Sequence, residues 1–259
     1  MSGHRLLPVR VLHDNYAWVL ADEAGDAVVV DPGEAAPVAA ALDRQGWHLR
    51  AILLTHHHAD HIGGVAGLLD GHPGIEVVAP HEERIPIATR RVGEGDSVDL
   101  DPPSCRFEVI EVHGHTRSHV AYHGEGLLFS GDTLFSVGCG RLFEGTPAGM
   151  LASLDRLAAL PGATRVCCGH EYTLANCAFA LAMEPGNAAL HARAAQARAA
   201  LERGEPSLPS TLAGERACNP FLRVDEAGLD DALAGHVRAG ADRVERFAAL
   251  RRLKDDFRA

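Results

Sequence analysis

The sequence predicts an α/β fold, with sheets in the middle and helices outside, followed by a small all-helical segment. Three features of the chain point to it. Up to about residue 170, short β-rich runs alternate with helical patterns in two similar passes. Several of those runs end on a histidine or an aspartate, which gathers polar donors at one sheet edge. After that point the chain turns alanine-rich and helical, with no internal repeat and no low-complexity tract. A length of 259 residues suits one large domain and a small one, divided as 1–172 and 173–259.

Residues 9–12, 16–21 and 27–30 read as strands, separated by Asp14-Asn15 and by the polar stretch 23–26, and Asp31-Pro32-Gly33 ends the third. An alanine-rich helix is expected over 35–45, stopped by Gly46. Ala51-Ile52-Leu53-Leu54 reads as a buried strand, and a glycine-rich helix over 63–69 follows soon after it. Glycine costs helix stability but lets the backbone pass close to its neighbours. Strand signals resume at 75–79, 97–100, 106–112, 119–123 and 127–130. Thr146 caps and Pro147 opens a helix whose Met150, Leu151, Leu154, Leu157 and Ala158 share a face. Val166-Cys167-Cys168 is a short strand. Helices are expected over 174–183, 188–203, 230–236 and 241–257, and the proline-bearing stretch 205–220 as an extended connector.

The chemistry centres on Thr55-His56-His57-His58-Ala59-Asp60-His61. On an extended segment His56 and His58 share a face and His57 points the other way. As the chain turns into the next helix, Asp60 and His61 can aim at a second point. Imidazole and carboxylate are ligands for zinc, iron or manganese. Two ions need about six or seven protein ligands, so further donors are expected at other strand ends. His115 after Gly114, Asp132 after Gly131 and His170 after Gly169 repeat one arrangement, a strand, a glycine, then a donor. His113 competes with His115, and the preceding glycine favours His115. His13 and His119 are candidates for groups that orient a ligand. Of the 16 histidines, His4, His48, His72, His81, His191 and His236 sit in polar or helical contexts and are expected at the surface.

Composition bounds the partners. A formal net charge of −11 disfavours nonspecific attraction to nucleic acid or anionic membrane, and an anionic ligand then needs a local basic patch. No run reaches the ~18 apolar residues of a membrane span, and residues 1–11 lack the apolar core of a signal peptide. The six cysteines make no C-x-x-C pair and read as reduced thiols of a cytoplasmic protein. Adjacent Cys167 and Cys168 would point to opposite faces of a strand and do not suit one ion. A monomer acting on a small molecule is expected.

In that order, Thr55 to His61, Gly114-His115-Thr116, Gly131-Asp132-Thr133 and Cys168-Gly169-His170 resemble the metallo-β-lactamase superfamily. Asp14-Asn15-Tyr16, Gly138-Cys139-Gly140-Arg141, His170-Glu171-Tyr172-Thr173, Asn219-Pro220-Phe221-Leu222-Arg223 and Arg251-Arg252-Leu253-Lys254-Asp255 resemble the glyoxalase II family within it. The resemblance spans nearly the whole chain. It implies an αββα metallo-β-lactamase-like sandwich followed by a helical C-terminal substrate-binding domain. It also implies two divalent metal ions, zinc first, with iron or manganese as alternatives. His56, His58 and His115 would hold one ion, Asp60, His61 and His170 the other, and Asp132 would bridge them.

The implied reaction is hydrolysis of S-D-lactoylglutathione and related 2-hydroxyacyl-glutathione thioesters by a metal-bridging hydroxide, the second step of methylglyoxal detoxification. Asp60 and Asp132 would be its catalytic carboxylates. Arg251 and Lys254 would take the glycine carboxylate of glutathione, while Arg141, Phe143 and Tyr172 would line the rest of the groove. Many members of the family carry lysine in place of Arg141 and tyrosine in place of Phe143. Arginine keeps the charge with a different geometry, and Phe143 cannot donate a hydrogen bond. Two rivals remain at this stage. One is a mononuclear iron persulfide dioxygenase acting on glutathione persulfide. The other is a noncatalytic metal-binding protein, against which the full set of seven donors argues.

Overall fold

The computed structural model describes residues 3–258. The chain forms two compact units: Met1–Glu111, Ser118–Gly131 and Cys167–His170 in the first, and Val112–Arg117, Asp132–Val166 and Glu171–Ala259 in the second.

The first unit is built on two sheets. In one, β1 (Arg5–Val11), β2 (Asn15–Ala21) and β3 (Asp26–Val30) form an antiparallel meander. From β3 the sheet continues in parallel through β4 (His48–Leu53), β5 (Glu76–Pro80) and β6 (Arg90–Val92). Parallel neighbours cannot be joined by a hairpin, so helices make the crossovers. These are α1 (Ala35–Gln45) after β3, then α2 (Ala59–Ile62) and α3 (Val65–Gly71) after β4. Val38, Ala41 and Leu42 of α1 and Val65 and Leu68 of α3 join Val19, Val29, Ile52 and Val77 in one core. Each such valine or leucine contributes about 1.5–3 kcal/mol when fully buried. Gly46 ends α1 in the left-handed region, where its N–H reaches back to the last carbonyls.

The other sheet of this unit is an antiparallel meander of β7 (Ser97–Leu100), β8 (Cys105–Glu111), β9 (Val120–Gly124) and β10 (Leu127–Gly131). In β8, Cys105, Phe107 and Val109 are buried while Arg106 and Glu108 are exposed, the alternation of a sheet with one wet face. The Tyr122 hydroxyl donates to the Leu54 carbonyl at 2.9 Å and the Trp18 indole to the Cys168 carbonyl at 3.0 Å.

After Val112–Arg117, the second unit continues with a hairpin, β11 (Leu134–Phe135) and β12 (Gly138–Cys139), and α4 (Pro147–Ala158). Thr146 Oγ1 caps α4 by accepting from Gly149 N–H at 3.1 Å, and Met150, Leu151, Leu154 and Leu157 are buried as the spacing predicts. Along β13 (Arg165–Cys168) the chain passes from the second unit into the first, and Arg165 and Val166 pair with β14 (Ser210–Thr211). Then come α5 (Thr173–Met183), α6 (Ala188–Glu202), α7 (Leu212–Cys218), α8 (Asp230–Leu233) and α9 (Arg243–Asp256). Val137, Cys177, Ala180, Leu190 and Cys218 form a core here, and Phe221 packs against both Phe179 and Phe247.

The helix expected over 230–236 stops at Leu233, and the structure differs from expectation in three further places. The stretch expected as an extended connector contains α7. Thr211 Oγ1 caps that helix through Gly214 N–H at 3.2 Å, and Leu212, Glu215 and Cys218 are buried along it. The helix expected over 63–69 starts only at Val65, after Gly63 and Gly64, and a side chain at Gly64 would stand 2.6 Å from the backbone nitrogen of Ala35. Strands β6, β11, β12 and β14 are two or three residues long and carry too little pattern to read. All six cysteines are buried and none is in a disulfide. Among the described residues no helix is long and apolar enough to cross a membrane.

Candidate metal centre

β3 and β4 run in parallel with Val30 beside Leu53, so the residues that follow them, Asp31 and Thr55, come together. Asp31 is buried with a φ of +50°. Its carboxylate accepts from Thr55 N–H at 2.8 Å, from the Thr55 hydroxyl at 2.6 Å, and from His61 Nδ1 at 3.0 Å. The last bond keeps the His61 proton on Nδ1 and leaves Nε2 as a lone-pair donor. Because the Thr55 hydroxyl donates to Asp31, its oxygen can accept from His56 Nδ1, 3.0 Å away. His56 Nε2 then lies 3.1 Å from His58 Nδ1. Two donors on one tetrahedral ion stand roughly 3.3 Å apart, so this spacing fits a shared metal.

His170 follows β13 and its Nδ1 meets Asp14 Oδ1 at 2.9 Å. Its Nε2 lies 3.5 Å from Asp60 Oδ2, and His61 Nε2 lies 3.6 Å from the same oxygen. Donor atoms of Asp60, His61 and His170 all fall within 4.8 Å of one another, with the two imidazoles buried. Asn15 Nδ2 donates to Asp60 Oδ2 at 2.9 Å. Two imidazoles with their protons directed away, facing a carboxylate, are a donor set that fits a divalent cation.

His115 and Asp132 belong to the second unit, where both are buried and His115 Nε2 lies 3.4 Å from Asp132 Oδ2. Gly114 has a φ of +148° and abuts Met150, so no side chain fits there. His115 Nδ1 meets the Arg141 carbonyl at 3.0 Å. Gly140 closes beneath both donors: a Cβ there would run into the Asp132 carbonyl and stand 3.1 Å from His115 Nδ1. His113 is exposed, which separates it from His115.

The residues expected to bind substrate also lie in this unit. Phe143 is 62% exposed, with its ring 5.2 Å from that of His115, and Tyr172 meets Phe135 edge-on at 5.3 Å. Arg251 is only 4% exposed. It donates to the Cys139 carbonyl at 2.8 Å and to Asp255 at 3.1 Å, and lies 5.1 Å from the centre of the Phe221 ring. Arg141 Nε lies 3.6 Å from the same Asp255. Lys254 donates to the Ala175 carbonyl at 3.2 Å and sits over Phe179. Burial, and then the nearby Arg251 charge, push its pKa down to about 8.

His57 turns toward Glu82, 3.9 Å away. Of the two histidines considered for an orienting role, His119 stacks on His56 at 4.6 Å, whereas His13 stands in solvent beside Asp14. His4, expected at the surface, is instead mostly covered and lies 3.4 Å from Glu125. The groups that hold the imidazoles are Asp31, Thr55, Asp14 and the Arg141 carbonyl. Asp31 has a signal in the sequence, a carboxylate ending an apolar strand, but nothing local distinguishes it from a strand stop.

Two family models match nearly the whole chain. Residues 11–170 match the metallo-beta-lactamase superfamily, and residues 171–257 match the hydroxyacylglutathione hydrolase C-terminus. The hydroxyacylglutathione hydrolase of Xanthomonas campestris pv. campestris (strain B100) is 55% identical over 256 residues, covering 98% of this chain and 100% of that one. Among solved structures, BLEG-1 B3 metallo-beta-lactamase is similar with a TM-score of 0.64 and 26% identity, over 85% of this chain and 99% of that one. TTHA1623 in a di-iron-bound form is similar with a TM-score of 0.54 and 32% identity, over 63% of this chain and 91% of that one. With both segments matched and more than half of the residues identical to a full-length relative, the chain belongs to the hydroxyacylglutathione hydrolase family, metal-dependent hydrolases of the metallo-β-lactamase fold with a helical C-terminal domain.

Proposed function

We propose that the chain hydrolyses S-D-lactoylglutathione and related 2-hydroxyacyl-glutathione thioesters to the 2-hydroxy acid and glutathione. Residues 1–172 supply the catalytic part and 173–259 complete the substrate site. The observation that carries this is the Asp60, His61 and His170 donor cluster, its two imidazoles buried, in a chain 55% identical to a hydroxyacylglutathione hydrolase. His56, His58 and His115 are assigned to one divalent ion, Asp60, His61 and His170 to a second, and Asp132 to both. Zinc suits the set first, and iron and manganese accept it too. The likeness to a di-iron-bound structure supports keeping iron among them. Such ions, when bound, lower the pKa of water to about 7 and polarise a carbonyl.

The chain's own groups do the rest. Asp31 and Asp14 hold the protons of His61 and His170 on Nδ1, and Thr55 and the Arg141 carbonyl do the same for His56 and His115. Asp60, fixed by the Asn15 amide, orients the attacking water. The leaving thiolate has a conjugate acid with a pKa of about 8.5, as for cysteine, so it departs without a general acid. Glutathione conjugates are anionic and the chain carries −11, so local cations must bind them. Arg141 and Lys254 have access to solvent, while Arg251, assigned with Lys254 to the glycine carboxylate, is buried and bonded to the Cys139 carbonyl and Asp255. Phe143 and Tyr172 offer apolar rings to the rest of the conjugate. Six buried thiols and no disulfide support a reducing, cytoplasmic setting.

Metal analysis of the purified protein, paired with a lactoylglutathione hydrolysis assay, tests this reading. Two equivalents of metal and hydrolysis abolished by chelation are expected. Activity that survives exhaustive chelation overturns the mechanism, and oxygen uptake with glutathione persulfide turns the reading to the dioxygenase.

A further inference from the structure

We propose that the β1–β2 turn is a positioning element for one ion only, that of Asp60, His61 and His170, and not for that of His56 and His58. The inference rests on the two-ion reading above. Asp14 in the turn and Asn15, the first residue of β2, hold two of the three donors. Asp14 Oδ1 accepts a hydrogen bond from His170 Nδ1 at 2.9 Å. Asn15 Nδ2 donates to Asp60 Oδ2 at 2.9 Å and reaches the Asp60 carbonyl at 3.3 Å. The backbone locks the same pairing: Tyr16 N–H donates to the Gly169 carbonyl at 2.8 Å, and Asn15 forms an antiparallel bridge with His170. His56 and His58 draw support from elsewhere, from Thr55 and from each other.

The turn is also held in an unfavourable shape. Leu12 has a φ of +53°, a conformation rare for a residue of its kind, yet its side chain is half-exposed and fills no core. A strained backbone persists only where its surroundings determine it, and here the Leu12 N–H is tied to the Glu34 carboxylate ahead of α1. What that shape achieves is the placement of Asp14 and Asn15. A carboxylate behind an imidazole fixes its orientation and raises its basicity as a ligand, and loss of such a partner typically weakens metal binding by about 10–100-fold.

Zinc titration of the metal-free full chain against a chromophoric chelator tests the inference, with Asp14→Ala, Asn15→Ala and the isosteric Asp14→Asn. Wild type is expected to take two equivalents. Asp14→Ala and Asn15→Ala should keep one equivalent at wild-type affinity and bind the other about 10–100-fold more weakly. Asp14→Asn retains an acceptor oxygen and should fall between, and with Asn15→Ala it carries the test if Asp14→Ala does not fold. Two unchanged equivalents, or both weakened alike in variants that melt as wild type does, overturn the inference while leaving the two-ion reading standing. A wild-type chain that takes up a single equivalent overturns both.

Discussion

Lys254 illustrates how a single side chain ties burial to substrate binding. It is half-buried over an aromatic ring, and its pKa falls from the ordinary 10.5 to about 8. Below that pH it is charged and can meet a carboxylate; above it the ammonium is lost. The KM for a glutathione thioester should therefore rise as pH passes about 8, with kcat little changed. Lys254→Met should show a raised KM without that inflection, and a wild-type KM flat across the same range would refute the assignment. Stability moves the other way. From about 8 to 10.5 the folded chain binds fewer protons at this site than the unfolded chain, so its contribution to stability rises with pH. Gly140 makes a second case. A methyl group there collides with the Asp132 carbonyl and crowds His115 Nδ1, so Gly140→Ala should weaken metal binding about tenfold or more, measured by chelator competition. The donors themselves are legible residue by residue, because histidine and aspartate announce their chemistry. Access is not. Arg251 and Lys254 look alike in the sequence, yet one is buried beside Cys139 and Phe221 and the other is half-open.

Helix boundaries show how far local pattern reaches. The prediction for α1 matches its observed span, since an apolar face and a terminal glycine lie within one short window. The Thr146 cap of α4 was equally legible. Thr146→Ala should cost about 1 kcal/mol in chemical denaturation, with activity retained. α7 is not legible in the sequence because its neighbourhood is rich in proline and its buried face is short. That face has a carboxyl group at its centre. Glu215 is fully buried, accepting from Val137 N–H at 2.7 Å and from the Asn219 side chain at 3.2 Å. Val137 has a φ of +59°, and its buried amide is hydrogen-bonded to that carboxyl group. Glu215→Ala strands the amide and should destabilise the chain by about 2–3 kcal/mol, read from urea unfolding. A loss below about 0.5 kcal/mol would show that the pairing is incidental.

Across the whole molecule, metal and stability are linked. An ion that binds only the folded chain stabilises it by about 2.7 kcal/mol at a free concentration of one hundred times its Kd. Removing metal should lower the melting temperature by several degrees in calorimetry, and restoring zinc should recover it. An unchanged melting temperature would mean that the donor cluster is not a metal site. The sequence by itself determined the class of fold, the helical C-terminal segment, the family, and the recurring strand, glycine and donor that make up the candidate ligand set. All of these are written within windows of a few residues, where side-chain period, turn chemistry and ligand type act locally. Only the tertiary structure decided how the imidazoles are held. Asp31 reaches His61 because β3 and β4 pair in parallel, and Asp14 reaches His170 because the β1–β2 turn meets the residue after Gly169. Such bonds join positions far apart in the chain, and strand pairing, which no short window encodes, brings them within reach.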